Sequence, residues 1–353
     1  MKASVLIFCS FFILQTIFNT GTVLSQQTPV IAPASHHYLL ALSKTDKRLV
    51  IMDASDFKII KKLPAGQDPH EITVSQDGTT AYISNTGSGL YHTIGVVDLT
   101  RLIPLPPIDT RPLLGPHGLA YIQNHLYFTT QGTKTIGRYN IKSKQIDGVI
   151  GTGQDRTHML KVSRDGKHIY ATNVGSGSLI VLDYIQYPPT VTPMGYALPT
   201  AKPYWDWHAK ILSVAAGIEG LDLSDDQTQV WTASPENGKV YIMDTRKESI
   251  LDSIDANILG ANRVRMTQNN KYVLISSLRT GDLYVFDYAT HKLLRKIHVG
   301  TGASEVLIDK QDTHAFVACT PDNYIAVVDL SNWKVTRRID IGGRPDGLSF
   351  ADF

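Results

Sequence analysis

Cysteine is almost missing from this 353-residue chain, which has only Cys9 and Cys319. Two thiols so far apart provide neither a disulfide framework nor a thiolate metal cluster. No Cys-x-x-Cys-His occurs, so covalent attachment of a c-type haem is excluded and an electron-transfer role loses its usual sequence support. An excess of one charge is lacking too. Lys and Arg total 34 against 32 Asp and Glu, for a net charge of +2. Such a balance creates no field suited to nucleic acid, so no DNA or RNA partner is expected. Beyond residue 18 no apolar run is long enough to cross a bilayer, and no stretch carries a convincing 3.6-residue amphipathic period. What is abundant is period-2 alternation, punctuated by turn residues every eight to twelve positions, and this predicts an all-β fold.

The first residues read as a targeting segment. Lys2 supplies a positive start, and Val5 to Phe18 is apolar except for Cys9, Ser10, Gln15 and Thr16. Val23 and Ser25 are small enough for signal peptidase, which predicts a signal peptide over 1–25 with cleavage before Gln26. The mature protein is then expected to be periplasmic or secreted, to insert in no membrane, and to keep a single thiol, Cys319.

One short pattern recurs down the chain. Leu49-Val50-Ile51-Met52-Asp53 returns as Ile94 to Asp98, Ile136 to Asn140, Leu179 to Asp183, Val240 to Asp244, Leu283 to Asp287 and Ile325 to Asp329. The steps between the final Asp or Asn positions are 45, 42, 43, 61, 43 and 42 residues. A period near 43 holding several strands predicts a β-propeller. One unit reads as Glu71-Ile72-Thr73-Val74, the turn Gln76-Asp77-Gly78, Ala81 to Ser84, a loop at Asn85 to Gly89, and Thr93 to Val97 before Asp98. The first unit, Tyr38 to Leu63, lacks an initial strand, whereas Gly347 to Phe350 at the end of the chain is an initial strand without successors. Residues 36–353 are therefore expected to form seven blades, the C-terminal strand completing the N-terminal blade. The repeated aspartates fit turn starters rather than chemical groups.

The unit Gly-x-x-Pro, then Ser-x-Asp-Gly, then Ala-Tyr-Ile-Ser-Asn, then Val-Val-Asp is cleanest from Gly66 to Asp98 and returns at Gly342 to Leu348. In these motifs the chain resembles the YVTN-repeat family of seven-bladed propellers over almost its whole mature length. The resemblance implies the fold. Its implication for function is broad, because propellers of this shape include lactone hydrolases, lyases, electron-transfer subunits and adhesive surface proteins.

The informative residues are those at which the repeats disagree. Just before the innermost strand of each unit, at one mouth of the central channel, stand His70, His117, His158, Glu219, Asn262, Ser304 and Asp346. The next residues are Glu71, Gly118, Met159, Gly220, Arg263, Glu305 and Gly347. Three histidines and a carboxylate on successive blades suit a divalent metal ion, so His70, His117, His158 and Glu219 are the candidate ligands. Arg263 and Asn262 are placed to hold an anionic group, with Glu71 or Glu305 as proton carriers. A purely solvated polar channel is the alternative. The ends of the second strands, Ser43, Asn85, Thr130, Asn173, Ser234, Ser277 and Cys319, form a wider polar circle that fits turn chemistry.

The 61-residue step places an insertion at 184–208, rich in proline and carrying Tyr184, Tyr187, Tyr196, Tyr204, Trp205 and Trp207. It reads as an extended loop without regular structure, leaving from the face opposite the ring. A smaller proline-rich insertion is expected at Arg101 to Leu114, placed to pack with it. Two functions follow. In one, the ring binds a metal ion or a small anionic ligand, with metal-assisted lactone hydrolysis or elimination as its chemistry. In the other, the chain is a non-catalytic envelope or extracellular module that meets a protein partner through the aromatic 184–208 segment.

Overall fold

The computed structural model describes residues 35–189 and 202–353. The signal-peptide expectation over 1–25 and the centre of the aromatic insertion, with Tyr196, lie outside them. The described residues form seven four-stranded antiparallel sheets, the expected seven-bladed all-β propeller. Blade 1 has the strand order 345–352, 37–43, 48–53, 59–64. The C-terminal strand Pro345–Asp352 is innermost and pairs with His37–Ser43. Blades 2 to 7 begin with inner strands at Pro69, Pro116, Thr157, Leu221, Ala261 and Ala303.

The period-2 pattern becomes packing in a simple way. In the middle strands both faces are covered, because each blade is sandwiched between two others. Leu39, Leu40, Ala41 and Leu42 are all fully buried. Leu40 and Leu42 join Ile72 and Ile83 of blade 2, whereas Leu39 and Ala41 join Phe316 and Ile325 of blade 7. Seven apolar clusters of this kind fill the seven junctions between neighbouring blades.

Asp53, Asp98, Asp244, Asp287 and Asp329 accept hydrogen bonds from backbone N–H groups two or three residues on, at 2.7–2.9 Å. These are the turn starters expected from the repeat. Asp183 departs from the pattern. Its strand runs on through Tyr187, so there is no turn to cap, and the carboxylate meets His168 Nδ1 at 2.5 Å.

Both insertions are more regular than their prolines suggested. Residues 184–187 and 204–208 are not loop. Strand Ser178–Tyr187 pairs with Tyr204–Ser213 in continuous register, Tyr184 opposite Trp207 and Tyr187 opposite Tyr204. The hairpin extends blade 4 past the face opposite the ring. Aromatic residues favour pleated pairing, and the prolines at 188, 189 and 203 stand just outside it. Arg101 to Leu114 likewise contains the outer strand of blade 2, Ile103–Asp109. Pro104, Pro106 and Pro107 are accommodated there because an outermost strand leaves one row of N–H groups without ladder partners. Blade 3 separates this strand from the blade 4 hairpin.

Candidate ligand site

A break in register places the ring residues. In blade 2, Pro69 pairs with Asn85 but Ile72 pairs with Ile83, so the inner strand carries one extra residue. The same bulge lies at Pro116/Leu119, Thr157/Leu160, Ala261/Val264, Ala303/Val306 and, in blade 1, between Pro345 and Leu348. A bulge re-aims side chains away from the alternation of its strand. Here it swings His70, His117, His158, Asn262, Ser304 and Asp346 to the channel mouth. Buried hydroxyls hold the distorted backbone. Thr129 Oγ1 accepts from Gly118 N at 2.9 Å and donates to the His158 carbonyl at 2.5 Å, tying blade 3 to blade 4. Thr172 acts alike between Met159 N and the Glu219 carbonyl, and Ser276 between Arg263 N and the Ser304 carbonyl. These hydroxyls lie one position before the strand-end circle singled out from sequence. A hydroxyl recurring at an otherwise apolar interior position was the available signal.

The mouth opens into a cavity of about 410 Å³ lined by His70, His117, His158, Glu219, Asn262, Arg263, Ser304 and Asp346, with Lys44, Arg156 and Arg344 among the residues around them. The three histidines do come together. Ring centroids are 4.9 Å apart for His70 and His117, and 3.9 Å for His117 and His158. Gly118 permits the closer approach, since a Cβ there would stand 2.6 Å from the His158 carbonyl oxygen.

This arrangement does not make the expected metal centre of His70, His117, His158 and Glu219. His117 and His158 lie ring over ring, 33° from parallel, so they do not converge on one point. Lys44 Nζ stands 3.0 and 2.7 Å from the two ring nitrogens of His70, putting a cation where an ion would compete. Glu219 is taken up by Asn262 Nδ2 at 2.5 Å. Among the described residues no group of three or more His, Cys, Asp or Glu is placed to share an ion.

Glu71, Arg263 and Glu305, expected to carry proton transfer and anion binding, form one buried ionic network below the mouth. Arg263 from blade 6 meets Glu71 of blade 2 through Nη2 and Glu305 of blade 7 through Nε at 3.0 Å. Arg265 closes the group on Glu305 at 2.7 Å. Glu71 and Glu305 are 5% and 1% exposed and do not line the cavity. Carboxylates so enclosed act as counter-ions to a channel-spanning guanidinium. Cys319 is equally remote: it is fully buried, and burial pushes its thiol up to about 12, too high for a nucleophile near neutral pH.

Two features of the mouth are left without internal partners. Nδ1 of His117 and Nδ1 of His158 are buried and make no hydrogen bond. Burial holds both imidazoles well below their ordinary value, helped for His117 by the His158 ring and for His158 by Arg263, so both are neutral at pH 7. Arg156 and Arg344 line the cavity and are exposed. Lys44, by contrast, sits 3.3 Å from Asp346. Four cationic side chains face two carboxylates across this cavity, and Arg263 and Lys44 are already paired.

These shifts predict a specific pH dependence of stability. His117 and His158 titrate in the unfolded chain near 6.5 but much lower when folded. Their contribution is therefore complete above about pH 6.5 and is lost progressively below it. Glu71 has the opposite sign. Burial raises its carboxyl from 4.5 to about 7, against the pull of Arg263. Its protonation favours the fold below about pH 4.5, and that gain disappears as pH rises to 7. Between pH 6.5 and 4.5 the two histidines outweigh the one carboxyl, so acidification should lower stability. Glu71→Gln removes the compensating proton, so its loss of stability on acidification should be steeper than that of wild type. Urea unfolding at pH 6.5, 5.5 and 4.8 measures this, and parallel slopes would contradict the assignment.

No family model matches the sequence, and no curated protein sequence matches it significantly. The fold, in contrast, is shared with solved structures. A protein assigned as a 6-phosphogluconolactonase from Bacteroides fragilis is 16% identical, with a TM-score of 0.70, over 92% of this chain and all of its own. A functionally unknown protein from Desulfotomaculum acetoxidans is 12% identical, with a TM-score of 0.70, over 89% of this chain and 98% of its own. A dihydro-haem d1 dehydrogenase in complex with DHE is 14% identical, with a TM-score of 0.61, over 86% of this chain and 64% of its own. At such identities the likeness is one of fold, and the class it defines is the seven-bladed β-propeller.

Proposed function

We propose that this chain is an exported propeller of the YVTN type that binds a small anionic organic molecule at the channel mouth. One observation carries the reading: two exposed arginines, Arg156 and Arg344, that have no carboxylate partner among the described residues share a cavity with the neutral imidazoles of His117 and His158. Arginine suits the planar oxygens of a carboxylate or phosphate. Neutral imidazoles add hydrogen bonding to the uncharged part of the ligand.

A hydrolytic reading rests on the same arginines. Beside a bound ester the guanidinium of Arg156 or Arg344 can stabilise the oxyanion that forms when water attacks. Opening of a sugar lactone is the reaction this chemistry fits, and it is the activity assigned to the Bacteroides fragilis propeller.

Titration calorimetry of the mature protein with gluconate, 6-phosphogluconate and citrate tests the binding. At least one should saturate with 1:1 stoichiometry. Arg156→Ala and Arg344→Ala, both exposed and outside the core, should each weaken that ligand about tenfold, the worth of one charge-assisted contact. No saturable heat with any of the three, or undiminished affinity in both variants, would remove the proposal. A pH-stat assay with glucono-δ-lactone tests turnover separately, and rates equal to the uncatalysed reaction would leave a binding protein.

A further inference from the structure

We propose a second binding site, for neutral carbohydrate, in the cleft between blade 3 and the extended hairpin of blade 4. The register of the hairpin sets its chemistry. Residues opposite one another share a face, as do residues two apart, so Tyr184, Trp205 and Trp207 point to the same side. Trp207 packs on the apolar core between blades 3 and 4, beside Tyr127. Tyr184 lies against Trp207 at 5.1 Å and stacks on Trp205 at 5.5 Å with 25° between planes. The three rings form a terrace anchored at one end. Its outer step, Trp205, is 50% exposed, although a tryptophan at the surface loses the burial that normally stabilises it. These rings line a cleft of about 200 Å³ whose far wall is the outer strand of blade 3 at Gly148 to Ile150.

The polar lining of the cleft selects the ligand class. Arg138 Nε donates to Asp147 at 2.7 Å, Asp206 adds a second carboxylate to the lining, and Lys167 Nζ stands 6.0 Å over the Trp205 ring, so donors and acceptors surround the cleft with two cations matched by two carboxylates. A charged ligand of either sign would meet groups of its own sign in this lining. A molecule whose hydroxyls both donate and accept need not. Sugar rings combine such hydroxyl edges with flat C–H faces, and C–H groups are attracted to the negative face of an aromatic ring. Flat aromatic platform, charge-balanced polar lining and small cleft together match one or two residues of an uncharged glycan. The cleft is on the face opposite the mouth, so both sites can be filled at once.

The test is intrinsic tryptophan fluorescence of the mature protein titrated with maltohexaose, cellohexaose, xylohexaose and chitohexaose. One of them should give a saturable change with Kd in the micromolar to millimolar range. Trp205→Ala, at a half-exposed position, should keep the wild-type thermal midpoint and weaken that sugar at least tenfold. Arg138→Met should weaken it while leaving the rings in place. His158→Asn at the mouth should leave it unchanged. Absence of a saturable change with all four sugars overturns the proposal. So does wild-type affinity in Trp205→Ala, or a loss confined to His158→Asn, which would assign the sugar to the mouth.

Discussion

Arg263→Leu should lower the free energy of unfolding by about 3–5 kcal/mol, the usual cost of removing one partner of a buried ion pair. The reason lies in what stays behind. Glu71 and Glu305 face the guanidinium from blades 2 and 7 and are almost wholly enclosed. Without Arg263 two carboxyls would share a site that excludes water, with only Arg265 to balance Glu305. Protonation would relieve part of the cost, so the defect should be smaller at pH 5 than at pH 8. Arg263→Lys keeps the charge but has one ammonium in place of a fork, and cannot address both carboxylates with the same geometry. It should fall between leucine and wild type. The triple change Arg263→Leu, Glu71→Gln, Glu305→Gln should recover much of the loss, because it removes the stranded charges rather than adding a contact. Urea unfolding of the three variants at both pH values checks the series. Additive effects, with the triple variant the weakest, would show that the network acts through packing alone.

The blade count was readable because each repeat carries an aspartate or asparagine at the same place, which in all but blade 4 starts a turn, and turn chemistry is local. The closing strand was readable for the same reason: Gly347 to Phe350 has the pattern of an inner strand with nothing after it to pair. The gathering of His70, His117 and His158 was also readable, since equal positions in successive blades become neighbours around an axis. What those side chains do was not. Whether imidazoles converge or lie ring over ring depends on the bulge in each inner strand and on the close approach at Gly118, which are tertiary. The role of Arg263 was hidden because its main partner, Glu71, is separated from it by 192 residues and by two blades in the shorter direction around the ring. The hairpin at 178–213 was obscured by its prolines, which mark the ends of the paired region and were read as its nature. Lys44, Arg156 and Arg344 reach the cavity from loops, at positions where the repeats carry no recurring side chain.

The closing strand yields the largest expected effect. Truncation after Gly343 should abolish the folded state. It would remove Leu348 and Ala351, buried at 5% and 1%, and the whole pairing of Pro345–Asp352 with His37–Ser43. Apolar burial of about 1.5–3 kcal/mol for each large side chain and about 1 kcal/mol for each of several ladder hydrogen bonds sums to the order of the entire stability of a domain, about 5–15 kcal/mol. The loss is also structural. Blade 1 would face the channel with the bare edge of a strand whose residues are nearly all buried, and an open edge of that kind invites pairing between molecules. The mouth would lose Arg344 and Asp346 together. Circular dichroism and size-exclusion chromatography of the truncated chain should show aggregate or unfolded protein. A synthetic peptide of residues 344–353, added during refolding, should restore a monomeric propeller, since it supplies a strand that pairs in one register. The chain ends favour this, because His36 and Phe353 exchange backbone hydrogen bonds at 2.7 and 3.1 Å. A truncated chain that folds as a monomer without the peptide would mean that the other six blades and three strands close the ring unaided.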